Sequence, residues 1–445
     1  MKKLFSFVAA TLLIVACTPK DELKTPFKAG QKVTLAASMG GDEAKNIPGK
    51  KRITGLDNGA QIDLTWTDGD QITVKVGDAT SVFTLESGAG SANGTFTGEM
   101  PAAGTTYSVE YPANYDESVL TNQTYTANGF GKGLMKMSTK TEGTLDGGFE
   151  LTPDNTLLGL QLTGAETLGD IVLTNTATSE TYTLNCAGVT LSNTAALFYL
   201  VVPAGEWPNG FVVDVKDTEG NVITSFTKAS AATFSTTEAM VMPVKFVPYA
   251  VDLGLPSGTK WASCNVGATK PEEFGDYFAW GETSPKSDYS VATNKWMEPS
   301  SSSFHNVNKY NTNSQYGDVD NKTTLDLEDD AAAVNWGGSW RMPTTEQITE
   351  LINNCDHTKT TLNGFVGWMF TSKLNGNSIF FPSTGQYVDT SIFSTTVGNV
   401  YCLSNTLTNT TFTQFAFSLF CSDYGVVLSN MTARVNGTPV RAVCP

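Results

Sequence analysis

Up to residue 340, no useful length of this chain repeats its apolar residues every three or four positions, as an amphipathic helix would. What repeats is alternation. Gln61-Ile62-Asp63-Leu64-Thr65-Trp66 has period two, Thr67-Asp68-Gly69-Asp70 is a turn, and Gln71-Ile72-Thr73-Val74-Lys75-Val76 alternates again. The pattern predicts a β-hairpin with one buried face. Further short strands are expected at 81–85, 94–98 and 107–112, and in a second block at 157–162, 171–173, 196–202, 211–215 and 239–246. Charged residues are only 16 % of the chain and Gly numbers 41, so the polar surface falls to Thr, Ser and Asn, which suit strands and turns. At 445 residues and 40 % hydrophobic, the chain can bury two or three separate cores. A β-sandwich in one or two subdomains is the expectation for the first half.

The net charge of −16 excludes a nucleic-acid partner, since no basic excess exists to displace counterions from phosphates. Two His in the whole chain leave no His-rich metal site.

The N-terminus gives a location. Lys2 and Lys3 precede an apolar run, 4–16, that is too short to span a membrane and reads as a signal peptide. Ile14-Val15-Ala16-Cys17 fits a bacterial lipobox. Residues 1–17 are then the signal and Cys17 carries the lipid, which anchors the chain to the outer membrane at least initially. Residues 18–30 are a polar tether. Its Thr18-Pro19-Lys20-Asp21-Glu22 resembles the surface-export signal of Bacteroidetes lipoproteins. In such an oxidising or extracellular setting one or two disulfides are expected among Cys264, Cys355, Cys402, Cys421 and Cys444, with the pairing open; Cys186 stands alone.

Two Trp, Trp66 and Trp207, lie before residue 248, and six lie between Trp261 and Trp368. The shift marks a boundary. The expected domains are 31–150, 151–247 and 248–445.

The first of these stretches resembles the Bacteroidetes fimbrillin family, the subunits of type V pili. The resembling residues are the lipobox, Trp66-Thr67-Asp68-Gly69-Asp70-Gln71-Ile72-Thr73-Val74, Phe83-Thr84, Gly94-Thr95-Phe96-Thr97-Gly98, Tyr107 and Tyr111-Pro112-Ala113. The resemblance covers about 30–247. It implies two transthyretin-like β-sandwich subdomains and assembly with other fimbrillin subunits by strand exchange. In polymerising members a protease cuts after a basic residue and removes the first strand; a neighbour's strand then fills the groove. Lys50-Lys51-Arg52 is the dense basic site of the region, and Arg52 is the candidate cleavage point.

The rest looks like the Fibrobacter succinogenes major paralogous domain, an extracellular module related to the C-type-lectin-like fold. It carries Trp336-Gly337-Gly338-Ser339-Trp340-Arg341-Met342-Pro343-Thr344 and a terminal Val440-Arg441-Ala442-Val443. The implied fold is α+β. One helix is legible locally: Thr344 and Gln347 form a capping box, and Ile348, Leu351 and Ile352 give an apolar face.

Asp318, Asp320, Asp326, Glu328, Asp329 and Asp330 are an acidic run, of which Asp326, Glu328, Asp329 and Asp330 are weak Ca²⁺ candidates. The EF-hand spacing and the EPN, QPD and WND motifs of calcium-dependent lectins are absent, and charge at a helix N-terminus explains the run equally well. No cofactor is otherwise expected. No catalytic residue is assigned either: His305 and His357 have no accompanying nucleophile motif. Trp261, Trp280, Trp336 and Trp340 are expected in the core. The candidate ligand-binding residues are Tyr387, Asp389, Phe393, Tyr401, Asn405, Asn409, Phe412, Gln414, Tyr424 and Asn430, a mixture of aromatic and short polar groups suited to recognition surfaces. Ordinary β-core with polar loops explains the same residues.

The expectation is a surface adhesin, not an enzyme: a fimbrial tip subunit binding a glycan or protein ligand through its C-terminal lectin-like domain. A lipoprotein capturing glycans for nutrient uptake and an extracellular glycosidase remain alternatives.

Overall fold

The structure is a computed structural model. It describes residues 24–39, 52–53, 62–127, 129–236, 239–298, 307–393, 398–408 and 413–445, with the backbone alone at 52–53, 62–63 and 187. The lipobox, including Cys17, and candidates Asn409 and Phe412 lie outside this set. The fold is mainly β and divides into two compact units.

The first unit takes in residues up to 52, 63–115 and 136–153. Its strands are β1 (Lys32–Met39), β2 (Gln71–Val76), β3 (Ala79–Ser87), β4 (Asn93–Glu99), β5 (Ser108–Tyr111), β6 (Met137–Thr139) and β7 (Phe149–Pro153). They hydrogen-bond in the order β1-β7-β6-β5-β2-β3-β4 and close into a barrel. Closure depends on β1. It pairs antiparallel with β4 from Lys32–Glu99 to Ser38–Asn93, and parallel with β7 from Ala37–Phe149 to Met39–Leu151. The alternation of β1 sends Leu35, Ala37 and Met39 inward.

The expected hairpin is displaced by one strand. β2 pairs with β3, and the chain before the turn is not its partner. Instead Trp66 donates its N–H to Ser91 O, and its carbonyl accepts from Gly90 N. The reason is packing. The Trp66 ring is fully buried edge-on to Phe96 (4.8 Å) and Tyr111 (5.4 Å), and the backbone follows the ring into the core. Gly94 makes room for it, and Gly98 makes room for the Phe83 ring. A Cβ on Gly94 would stand 2.9 Å from the Trp66 ring, and one on Gly98 would stand 2.6 Å from that of Phe83.

The second unit takes in residues 53–62, 116–135 and 154–445, so residue 248 falls inside it. Its first part holds β8 (Asn155–Gly164), β9 (Thr167–Asn175), β10 (Thr181–Thr190), β11 (Ala196–Pro203), β12 (Phe211–Asp217), β13 (Val222–Lys228) and β14 (Met240–Val247). One sheet runs β11-β8-β14. The other runs β13-β12-β9-β10 and ends on Asn122–Thr124. Gln123, buried between them, exchanges two hydrogen bonds with the Val201 backbone.

From residue 250 the strands are short and the loops long. β15 (Ala250–Val251) pairs with β16 (Lys260–Ala262), and β16 pairs in turn with the last strand. Two helices follow, α1 (Ala331–Trp336) and α2 (Thr345–Asn354). The α2 capping box forms as expected, and Ile348 and Leu351 are buried. Helix α1 is too short to show periodicity in the sequence. It starts on Asp330, whose carboxylate accepts from Ala333 N. Two three-stranded sheets come next: β17 (Cys355–Leu362), β18 (Phe365–Ser372) and β19 (Ser378–Pro382), then β22 (Val400–Leu407), β23 (Phe415–Ser422) and β24 (Gly425–Ala433). Between them lies a hairpin of β20 (Gln386–Val388) and β21 (Ser391–Phe393). The chain ends on β25 (Val443–Cys444), paired with β16.

Trp261, Trp280, Trp336 and Trp340 are all buried in these cores. The disulfides do not form among the described residues, where all six cysteines are free. Each thiol has settled among other partners. Cys264 donates to Ala268 O, Cys402 accepts the N–H of Arg441, and Cys355, Cys402 and Cys421 pack with Trp261, Ile348 and Phe381.

Candidate ligand-binding surface

Two arginines without carboxylate partners fix the loops beneath this surface. Arg441 is fully buried. Its Nε donates to Asn265 Oδ1 (2.9 Å), Nη1 to the carbonyls of Ala262 and Ser263, and Nη2 to Phe380 O (2.9 Å), with the guanidinium over the Phe381 ring. Arg434 donates to the carbonyls of Lys309, Tyr310 and Thr413 and lies over Trp280. Burial lowers both, Arg434 to about 9 and Arg441 to about 10. Carbonyl dipoles and aromatic faces take the place of counter-ions.

The acidic run splits. Asp330 is occupied by the backbone of α1 and by Met342 N, and burial pushes its carboxyl up. Asp326, Glu328 and Asp329 do converge, with one oxygen from each within 4.8 Å. Lysines meet them there. Lys309 Nζ lies 2.6 Å from Asp329 and 2.8 Å from Asp326, Lys295 lies 2.9 Å from Asp329, and Lys322 lies 2.6 Å from Asp326. Lys295 and Lys309 also lie over the Trp296 ring, and Tyr310 donates to Asp329. Ammonium groups thus pair with these carboxylates, Lys309 from a largely buried position and Lys295 and Lys322 from the surface.

The other candidates fall on separate elements. Tyr387 is half-buried and packs edge-on to Tyr277 at 4.9 Å and near Tyr289 at 5.5 Å; its backbone pairs with Gly437. Asp389 takes a positive φ at the β20–β21 turn, and its carbonyl accepts from Tyr289 N. Phe393, on the same hairpin, is 67 % exposed. Tyr401 packs across strands on Phe420. Asn405 serves the backbone: its carbonyl accepts from Leu325 N and its N–H donates to Pro343 O. Gln414 has a buried Oε1, and its carbonyl accepts from Arg434 N. Tyr424, in the β23–β24 turn, is fully exposed, and Asn430 is exposed on β24. Asp389, Phe393, Tyr424 and Asn430 are exposed, and Tyr387, Tyr401, Asn405 and Gln414 are half-buried.

Sequence reasoning missed a groove of about 580 Å³ between α2 and β24. Its wall carries Glu346, Thr349, Glu350 and Asn353, and its floor Phe417 and Leu428. The wall residues recur at helical spacing, so that half of the signal was present.

No protein-family model matches the chain, and no curated protein matches it. Both family resemblances therefore rest on the motifs alone. Among solved structures, a fimbrial protein from Bacteroides ovatus aligns over 94 % of this chain and 99 % of its own, at 11 % identity and a TM-score of 0.22. A candidate cell adhesion protein from Bacteroides fragilis aligns over 47 % and 91 %, at 8 % identity and a TM-score of 0.27. The tip fimbrial protein Mfa3 from Porphyromonas gingivalis aligns over 44 % and 81 %, at 10 % identity and a TM-score of 0.19. Likenesses this slight carry no argument about fold or function.

Proposed function

We propose that the protein is a cell-surface adhesin of the fimbrial tip type, delivered to the outer membrane by a lipid on Cys17. The carrying observation is the place of β1. It is the first strand of the barrel, it is hydrogen-bonded on both sides, and Arg52 follows it in the chain. A cut at Arg52 would free β1 and leave the edges of β4 and β7 facing one gap, ready for a strand from another subunit. Strand β25 is held on β16 and on Arg341, with Arg441 buried just before it. The 248–445 region would then present a lectin-like surface to a glycan or protein ligand.

The test is the mature N-terminus of protein shaved from intact cells, read by mass spectrometry. A terminus at Ile53 is expected. A lipidated Cys17 joined to an uncut Lys50-Lys51-Arg52 would overturn strand exchange and leave an anchored binding lipoprotein.

A further inference from the structure

We propose that the groove between α2 and β24 binds an oligosaccharide that is neutral or carries amines, and rejects acidic sugars. The proposal rests on the adhesin reading and locates its ligand away from the exposed aromatics Phe393 and Tyr424. The groove is shallow and open to solvent, with about 580 Å³ of space over its lining residues. Its two surfaces differ in chemistry. Phe417, Leu428 and Pro256 give an apolar floor, and Glu346, Thr349 and Asn353 give a polar wall. A pyranose ring has the same duality, with a C–H face to lay on an aromatic ring and hydroxyls at its edge to bond carboxylates and amides.

Charge sets the sign of the selection. The groove's lining holds two carboxylates, Glu346 and Glu350, and no Lys, Arg or His. Glu350 is already held by Ser257, through its N–H at 2.8 Å and its hydroxyl at 2.6 Å. Glu346 is exposed, and hydrogen bonds from its own N–H and from Thr344 hold its carboxyl below the usual value. Glu346 therefore stays anionic, in a chain of net charge −16. A sialylated or sulfated sugar would meet like charge; an amino sugar would meet a counter-ion. The wall is rigid, because the capping box fixes the start of α2 and Ile348 and Leu351 anchor its other face.

The experiment is calorimetric titration of the purified full-length protein with three probes: N-acetylated chitotriose, its de-acetylated trimer and 3′-sialyllactose. The first two are expected to bind and the third not. Asn353→Ala, at an exposed position, and Phe417→Leu should each weaken binding about tenfold or more, with an unchanged Tm as the check on the fold. Glu346→Gln should weaken only the amine-bearing trimer, while Leu374→Ala, at an exposed residue outside the groove, leaves all three titrations unchanged. Binding indifferent to Asn353→Ala and Phe417→Leu overturns the groove. Loss of binding on Tyr424→Ala or Phe393→Ala also overturns it and moves the ligand to the exposed aromatics, with the adhesin reading intact. Binding of none of the probes overturns the groove as well, and the N-terminus measurement still decides the adhesin reading separately.

Discussion

Tyr111 Oη donates a hydrogen bond to Asp70 Oδ1 at 3.2 Å, across 41 residues. Asp70 Oδ2 accepts the N–H of Thr67 and so builds the turn that delivers Trp66 to the core, where Tyr111 meets the Trp66 ring. The two ends of the Trp66-to-Tyr111 motif thus form one buried knot. Tyr111→Phe keeps the ring and removes a hydrogen bond to a buried carboxylate. It should cost about 1.5–3 kcal/mol in denaturant unfolding. A loss below about 0.5 kcal/mol would show that another donor replaces Tyr111.

The Arg441 guanidinium makes its hydrogen bonds to groups from two separate chain segments, 262–265 and Phe380. Lys cannot reproduce the planar fork or its contact with Phe381. Arg441→Lys should therefore destabilise by about 3 kcal/mol or more, as expected when buried carbonyls lose a charged partner. The check is the midpoint of chemical unfolding against wild type. An unchanged midpoint would mean that the two segments do not depend on this residue.

These two knots differ in how much of them is written locally. The alternation of β2, the capping box of α2 and the framework Trp are short-range patterns, legible from neighbouring residues alone. Closure of the barrel by β1 is not, because its partners β4 and β7 lie over fifty residues away and alternation does not name partners. Period two continues through Trp66, so alternation alone points to the wrong hairpin; only the room left by Gly94 reveals where the ring goes. Arg434 gives no signal, since nothing in Thr432-Ala433-Arg434-Val435 marks the Arg as buried. Cysteine counting suggests disulfides, although the same residues serve as small apolar core groups. The polar stripe of α2 is readable, but its floor comes from Phe417 and Leu428, far along the chain.

The Lys309 cluster should set an acid limit on stability. Hydrogen bonds from Lys309 and then Lys322 hold the Asp326 carboxyl at about 2. Burial would push Asp329 up, but bonds from Lys309, Tyr310 and Lys295 outweigh it and hold this carboxyl below its usual value. The unfolded value is about 3.9. A folded value below the unfolded one gives stability that is complete above about pH 4 and lost as pH falls toward 2. Glu166, Asp276 and Asp330, pushed up by burial, act in the opposite sense, so a variant comparison is needed. Lys309→Met should lower Tm at pH 7 and flatten its fall between pH 4 and 2. Parallel curves for the two proteins would remove Lys309 from this role.

The described thiols should be inert in the native state. Burial pushes Cys186 up to about 12 and Cys264, Cys355, Cys402 and Cys444 to about 11, with Cys421 well raised too. At pH 8 almost no thiolate exists to react. A disulfide-exchange reagent should label none of the six before denaturant is added and all six afterwards. Fewer than six after denaturation without reductant would reveal a disulfide.

Strand exchange makes a stricter demand on β1, which can be met in solution. Protein cut after Arg52 and freed of its N-terminal piece loses Leu35, Ala37 and Met39 from the barrel core, together with both ladders of β1. Burying the larger two side chains contributes about 1.5–3 kcal/mol each, so the cut barrel should melt well below the intact one. A synthetic peptide of residues 31–39 supplies the same side chains in the same alternation and should restore Tm in a dose-dependent way. A peptide with Leu35 and Met39 exchanged for Ser should not, because the backbone ladder alone leaves the core open. If the cut protein melts at the intact temperature, or if the Ser-substituted peptide rescues as well as the native one, β1 is not a removable plug and the barrel is not built to accept a strand.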